Sequence, residues 1–142
     1  PLTDWLADLK LHWESAPPPI ARAPRQKLHQ VALNLVVNAM QAVEARPLPP
    51  GERHTITLST RTVGDVAELE VRDTGVGIPE ANLKRIFDPF FTTKPVGVGT
   101  GLGLSVCALV AERAGGTIEE SARFGGLPTR RSWLFVPLRW EK

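Results

Sequence analysis

A length of 142 residues, 42% of them apolar and 23% charged, is that of an ordinary folded domain and excludes disordered, fibrous and collagen-like chains. The size suits one domain with a core of its own, so residues 1–142 are read as a single unit. Seventeen Lys and Arg against 15 Asp and Glu leave a charge of +2, too weak a field for nonspecific nucleic-acid binding, and no nucleic-acid partner is expected.

The chain opens on PLTDWLADLK, which lacks the basic and apolar regions of a signal peptide, and no uninterrupted apolar run reaches the ~18 residues that span a bilayer. We therefore expect a soluble stretch. Because it starts at Pro1 and not at Met, it is read as a piece of a longer protein whose membrane anchor could lie upstream. Leu9, Leu11 and Trp13 alternate with polar residues and predict a strand, which the run Pro17 to Pro19 breaks. From Arg25 to Glu44 the apolar Leu28, Val31, Ala32, Leu35, Ala39 and Val43 recur at helical spacing, and PLPPG then stops the helix. Two strands follow, Thr55 to Thr60 with Ile56 and Leu58 on one face, and a second marked by Ala67, Leu69 and Val71. Gly64 and Asp65 between them make a hairpin turn.

Residues 74–100 are rich in Gly, Pro and Thr around a short helical piece near Glu80 to Ile86, and loops of that length in compact domains are usually functional. A second helix fits Leu102 to Arg113, ended by Gly115 and Gly116. Cys107, the only cysteine, lies on it and reads as a small buried hydrophobe; alone it can form neither an intramolecular disulfide nor a cysteine-built metal site. Two last strands fit Thr117 to Ser121 and Ser132 to Leu138. This order predicts a two-layer α+β sandwich, with helices on one face of a mixed or antiparallel sheet and the other face largely solvated.

Within VALNLVVNAM, Asn34 and Asn38 interrupt an apolar helix at i, i+4 spacing and so project from nearly the same face. A buried amide without partners costs about 1–3 kcal/mol, so the pair needs a structural network, a solvent-touching helix edge or a polar ligand. Amide oxygens are hard neutral ligands that suit Mg²⁺. Asp73 shares strand parity with Leu69 and Val71, which aims its carboxylate at the apolar face. It could accept from an adenine amino group, with Gly75 and Gly77 letting the backbone approach a flat base and Val76 and Ile78 as apolar walls. Equally, it could cap its own turn. The run Gly97-Val98-Gly99-Thr100-Gly101-Leu102-Gly103-Leu104 enters a helix whose free N–H groups suit phosphate, unless the glycines only form a hinge. Lys94 could reach a phosphate or simply be solvated. His12, His29 and His54 are isolated and receive no chemical role.

Taken in order, NLVVNAMQA, DTGVGIP, IFDPFFTTK and GTGLGLS resemble the N, G1, F and G2 boxes of the histidine-kinase ATPases, the GHKL or Bergerat-fold group. They lie within residues 28–113, and RQKLHQVALNLVVNA and FFTTKPVGVGTGLGLSV are similar to bacterial sensor-kinase sequence. The resemblance implies the ATP-binding catalytic domain of a two-component sensor kinase, with Asn38 as the Mg²⁺ ligand, Asn34 as its catalytic N-box companion and Asp73 as the adenine reader. Gly75, Gly77, Ile78, Thr93, Lys94, Gly99, Thr100, Gly101, Leu102, Gly103 and Leu104 would contact the nucleotide. Residues 88–100 would form a mobile lid with Phe87 and Phe90 as anchors. Ser132 is included although RRSWLFVPL follows the family's last strand only loosely, and Gln41 stands where many relatives carry Lys or Arg.

Gyrase-type, mismatch-repair and chaperone relatives carry Glu at position 34 as a base for water. Asn cannot take a proton, which favours transfer to a positioned nucleophile over hydrolysis. No histidine here has the H-E/D-x-x-T/N-P setting of a phosphoacceptor. The implied partners are therefore an upstream dimerisation domain of the same protein bearing the histidine, and a response regulator. The full-length kinase would be a homodimer, cytoplasmic or anchored in the inner membrane, and this chain alone a monomer. The competing readings are a nucleotide-sensing regulatory module and an ATP hydrolase of the GHKL type.

Overall fold

The computed structural model describes residues 10–15, 24–91, 103–121 and 130–137. Strand β1 (Lys10–Ser15) is followed by helix α1 (Arg25–Glu44) and the hairpin β2 (Thr55–Val63) and β3 (Val66–Asp73). A 3-10 turn (Glu80–Asn82), helix α2 (Gly103–Arg113) and strands β4 (Thr117–Ser121) and β5 (Arg130–Pro137) complete it. Among the described residues the sheet has five strands in the order β1-β2-β3-β5-β4. Of these described strands only β1 and β2 run parallel, joined by the α1 crossover that parallel neighbours require, so the sheet is mixed as anticipated.

Helix α1 has the predicted bounds. It starts after Pro24, whose carbonyl accepts from the N–H groups of Lys27 and Leu28, each at 3.1 Å. Its apolar stripe of Val31, Leu35, Ala39 and Val43 is buried with Ile56 and Val71 of the sheet and Cys107, Val110 and Ala111 of α2. Both helices thus cover one sheet face, and each large apolar side chain buried there contributes about 1.5–3 kcal/mol. Helix α2 ends as predicted at Gly115, in the left-handed region at φ 77°. The Gly116 N–H reaches back to the Ala111 carbonyl at 2.8 Å, so the last carbonyls are satisfied without a side-chain cap.

The opposite sheet face is less solvated at its centre than expected. Glu68 is only 3% exposed, and both its carboxylate oxygens accept from Arg61 across the β2–β3 ladder, at 2.8 Å from Nε and 3.2 Å from the guanidinium Nη2. That ion pair, directly opposite in register, takes the place of water on the central strand. The predicted helical piece near Glu80 is one 3-10 turn, continued by further three-residue turns through Phe91. Leu9 and the run Pro17 to Pro19 lie outside the described residues.

Candidate functional site

Asn34 and Asn38 flank the buried stripe of α1, both half-buried and one turn apart. The Asn34 amide donates from Nδ2 to Cys107 Sγ at 3.7 Å, a weak bond that ties the N-box helix to α2. Cys107 is fully buried, and burial pushes its thiol above the ordinary range, with the Asn34 contact opposing in part. It is therefore a neutral packing group, as its position suggested. Cys107 lies one turn beyond Gly103, so the start of α2 comes within about 6 Å, measured along that helix, of the point where Asn34 touches it. No hydrogen bond to the Asn38 side chain occurs among the described residues.

Asp73 closes β3 opposite Ile56, on the helix-covered face and 2% exposed, as strand parity required. Its Oδ1 accepts from the Gly75 N–H at 2.8 Å, so the aspartate does cap its turn. A carboxylate accepts at about four lone-pair sites, more than this one bond uses. Gly75 meets α1 where sequence reading had placed it against a ligand. A Cβ there would sit 2.3 Å from the Ala42 carbonyl carbon, and the next N–H, of Val76, donates to the Ala42 carbonyl at 3.1 Å. The glycine lets the loop lie directly on the helix backbone. Gly77 has φ 73°, in the left-handed region that glycine adopts without a Cβ clash. Val76 is exposed and Ile78 half-buried beside it.

A second set of residues, unmarked in the sequence reading, braces the same loop. His54, 8% exposed, sets Nδ1 2.8 Å from Thr74 Oγ1 and Nε2 2.5 Å from the Arg46 carbonyl oxygen. Thr74 Oγ1 also accepts from the Thr55 N–H at 3.1 Å, and the Arg46 guanidinium donates to the Thr74 carbonyl at 2.6 Å. The register of the hairpin, counted from the Gly64-Asp65 turn, was the one signal that could have placed position 54 near position 74.

In the F segment Phe90 does not anchor. Its ring is 74% exposed and its φ is 66°, whereas Ile86 is buried, Phe87 half-buried, and Phe91 lies 4.7 Å under the Arg85 guanidinium. Gly103 has open space about it, and Leu104 packs against the core. Ser132 pairs with Val71 and Glu120 in the sheet. Thr93, Lys94, Gly99, Thr100, Gly101 and Leu102 lie outside the described residues. Among the described residues no three His, Cys, Asp or Glu gather as metal ligands, and no helix is long and apolar enough to cross a membrane. A divalent ion held beside Asn38 would have to draw on amide, phosphate and water oxygens, a donor set that fits Mg²⁺.

Residues 23–139 match the family described as histidine kinase-, DNA gyrase B-, and HSP90-like ATPase. The chain is 40% identical to the sensor kinase CckA of Brucella abortus, over 96% of this chain and 16% of that protein. It resembles the catalytic domain of the histidine kinase ThkA with a TM-score of 0.75 at 30% identity, covering 92% of this chain and 81% of that one. It resembles full-length ShkA, solved with AMPPNP, with a TM-score of 0.74 at 25% identity, covering 92% of this chain and 26% of that one. The chain spans between 11% and 24% of the length of eight curated relatives that it matches.

Proposed function

Because the chain belongs to the family of histidine kinase-, DNA gyrase B- and HSP90-like ATPases, an ATP-binding catalytic module, we propose that it transfers the γ-phosphoryl group of Mg-ATP to a histidine on a separate dimerisation domain of the same sensor kinase. The carrying observation is the pairing of a buried aspartate, braced against α1, with an N-box helix that offers amides in place of a carboxylate. Asp73 accepts a hydrogen bond from the adenine amino group, with Val76 and Ile78 beside the base. Asn38 contributes an amide oxygen to Mg²⁺. The ion, when bound, neutralises phosphate charge and leaves most of its ligands to phosphate and water.

Thr93, Lys94, Gly99, Thr100, Gly101, Leu102, Gly103 and Leu104 belong to the same proposal as the phosphate cradle at the start of α2, where free N–H groups and the dipole favour anions. Ser132 is a further nucleotide contact. Asn34 cannot accept a proton, so the site positions phosphate without activating water. Positioning supplies most of the catalysis in phosphoryl transfer, and the missing nucleophile then decides the outcome. A response regulator would receive the phosphoryl group, and a cytoplasmic setting supplies both partners.

The test is radiolabelled ATP given to this chain, to a separate histidine domain from the same protein, and to both together. Label should appear only in the mixture, acid-labile and base-stable as a phosphoramidate is, and Asn38→Ala should abolish it. Rapid phosphate release by the chain alone would favour a hydrolase. ATP binding without any labelling would favour a nucleotide-sensing module.

A further inference from the structure

His54, which is buried, and the half-buried Thr74 and Arg46 form a brace under the loop that carries Asp73. The Arg46 carbonyl can only accept, so His54 Nε2 carries a proton and donates to it at 2.5 Å. In the tautomer with its proton on Nε2, Nδ1 is an acceptor, 2.8 Å from Thr74 Oγ1, and the Thr74 hydroxyl donates to it. That leaves Oγ1 a lone pair for the Thr55 N–H at 3.1 Å. The Thr74 carbonyl accepts from Arg46 at 2.6 Å, and its N–H donates to the Thr55 carbonyl at 3.3 Å. Every polar group of Thr74 is thereby engaged. This residue immediately follows Asp73, whose side chain is itself bonded to the Gly75 N–H.

We propose that His54 is a positioning residue for adenine recognition, holding through Thr74 the stretch of backbone from which Asp73 meets the base. This rests on the reading that Asp73 accepts from the adenine amino group. Among the described residues the His54 ring bonds to the Thr74 hydroxyl and the Arg46 carbonyl. It joins the Arg46 carbonyl, two residues past the end of α1, to the loop's threonine and so ties the adenine loop to the end of the N-box helix.

The experiment measures binding of Mg-ATP and of purine riboside triphosphate, which lacks only the 6-amino group, to the intact protein and to His54→Ala, His54→Gln and Thr74→Val. The wild type should prefer ATP about tenfold, the worth of a hydrogen bond to a charged acceptor. His54→Ala should lose most of that preference through weaker ATP binding alone, leaving the analogue within about twofold. Thr74→Val, which keeps the shape and removes the hydroxyl, should behave alike even where His54→Ala fails to fold. His54→Gln retains an N–H for Arg46 and a carbonyl for Thr74, and should restore much of the preference. Equal losses for both nucleotides would make His54 a packing residue and overturn the proposal. A wild type without preference would instead remove the Asp73 reading, and this proposal with it.

Discussion

Gly75 carries no side chain because a helix backbone already occupies the space: its Cβ would lie 2.3 Å from the Ala42 carbonyl carbon. Gly75→Ala must lift the loop from α1 and stretch the Val76 to Ala42 bond. Overpacking of this kind costs roughly 1–3 kcal/mol, and urea unfolding should show a loss in that range with nucleotide binding weakened too. A change below about 0.5 kcal/mol would mean that the loop is not seated as described. Asn38→Ala should reduce Mg-dependent ATP affinity by at least about 1 kcal/mol in calorimetry while leaving metal-free binding alone. Burial raises the Cys107 thiol, so the folded chain keeps a proton that the unfolded chain releases. Stability should therefore hold steady below the ordinary thiol range and fall as pH climbs through about 8.5 and above, a decline that Cys107→Ala lessens. Unfolding midpoints at neutral and alkaline pH, compared between wild type and variant, measure it. At this scale the sequence disclosed Asp73, because strand parity alone aims its carboxylate. It hid why Gly75 is glycine and what His54 does, because both depend on contacts with α1 that no local pattern encodes.

Helix α1 and the β2–β3 hairpin were legible for a related reason: each is specified by local spacing, 3.6 residues in one and two in the other, with Gly64-Asp65 at the turn. Glu68 was not legible. A glutamate in a strand reads as solvent-facing, and its burial comes from being on the central strand with Arg61 folded across it. The Arg61 side chain stays 64% exposed, which screens the pair and moderates its worth. Removing the arginine still leaves a buried carboxylate short of donors. Arg61→Leu should cost about 1–3 kcal/mol, and adding Glu68→Leu should recover part of that loss, since an unpaired buried charge is worse than none. Denaturant unfolding of the two single variants and the double variant measures the coupling. If Arg61→Leu is neutral, the pair does not stabilise the sheet.

The parallel placement of β1 beside β2 is the part of the topology that periodicity could not give, since the alternation in β1 names no partner. Its consequence is global: α1 becomes a crossover lying on the sheet, and its contacts with the loop after β3 and with α2 bring the N box, the Asp73 turn and the start of α2 to one cluster. A nucleotide that touches all three is bound by the folded state and not by the unfolded chain, so its binding free energy adds to folding. At a hundredfold excess over its Kd, ATP with Mg²⁺ should stabilise by about 2.7 kcal/mol, which for a domain of this size raises the melting temperature by on the order of 10 °C. GTP at the same concentration should give much less if Asp73 reads the base as proposed, because guanine presents an acceptor oxygen where adenine presents its amino group. Thermal melts with ATP, GTP and each without Mg²⁺ separate the contributions: the base comparison reports on Asp73 and the metal comparison on Asn38. Equal shifts with ATP and GTP would sink the adenine assignment, and no shift with either would remove the nucleotide from this cluster.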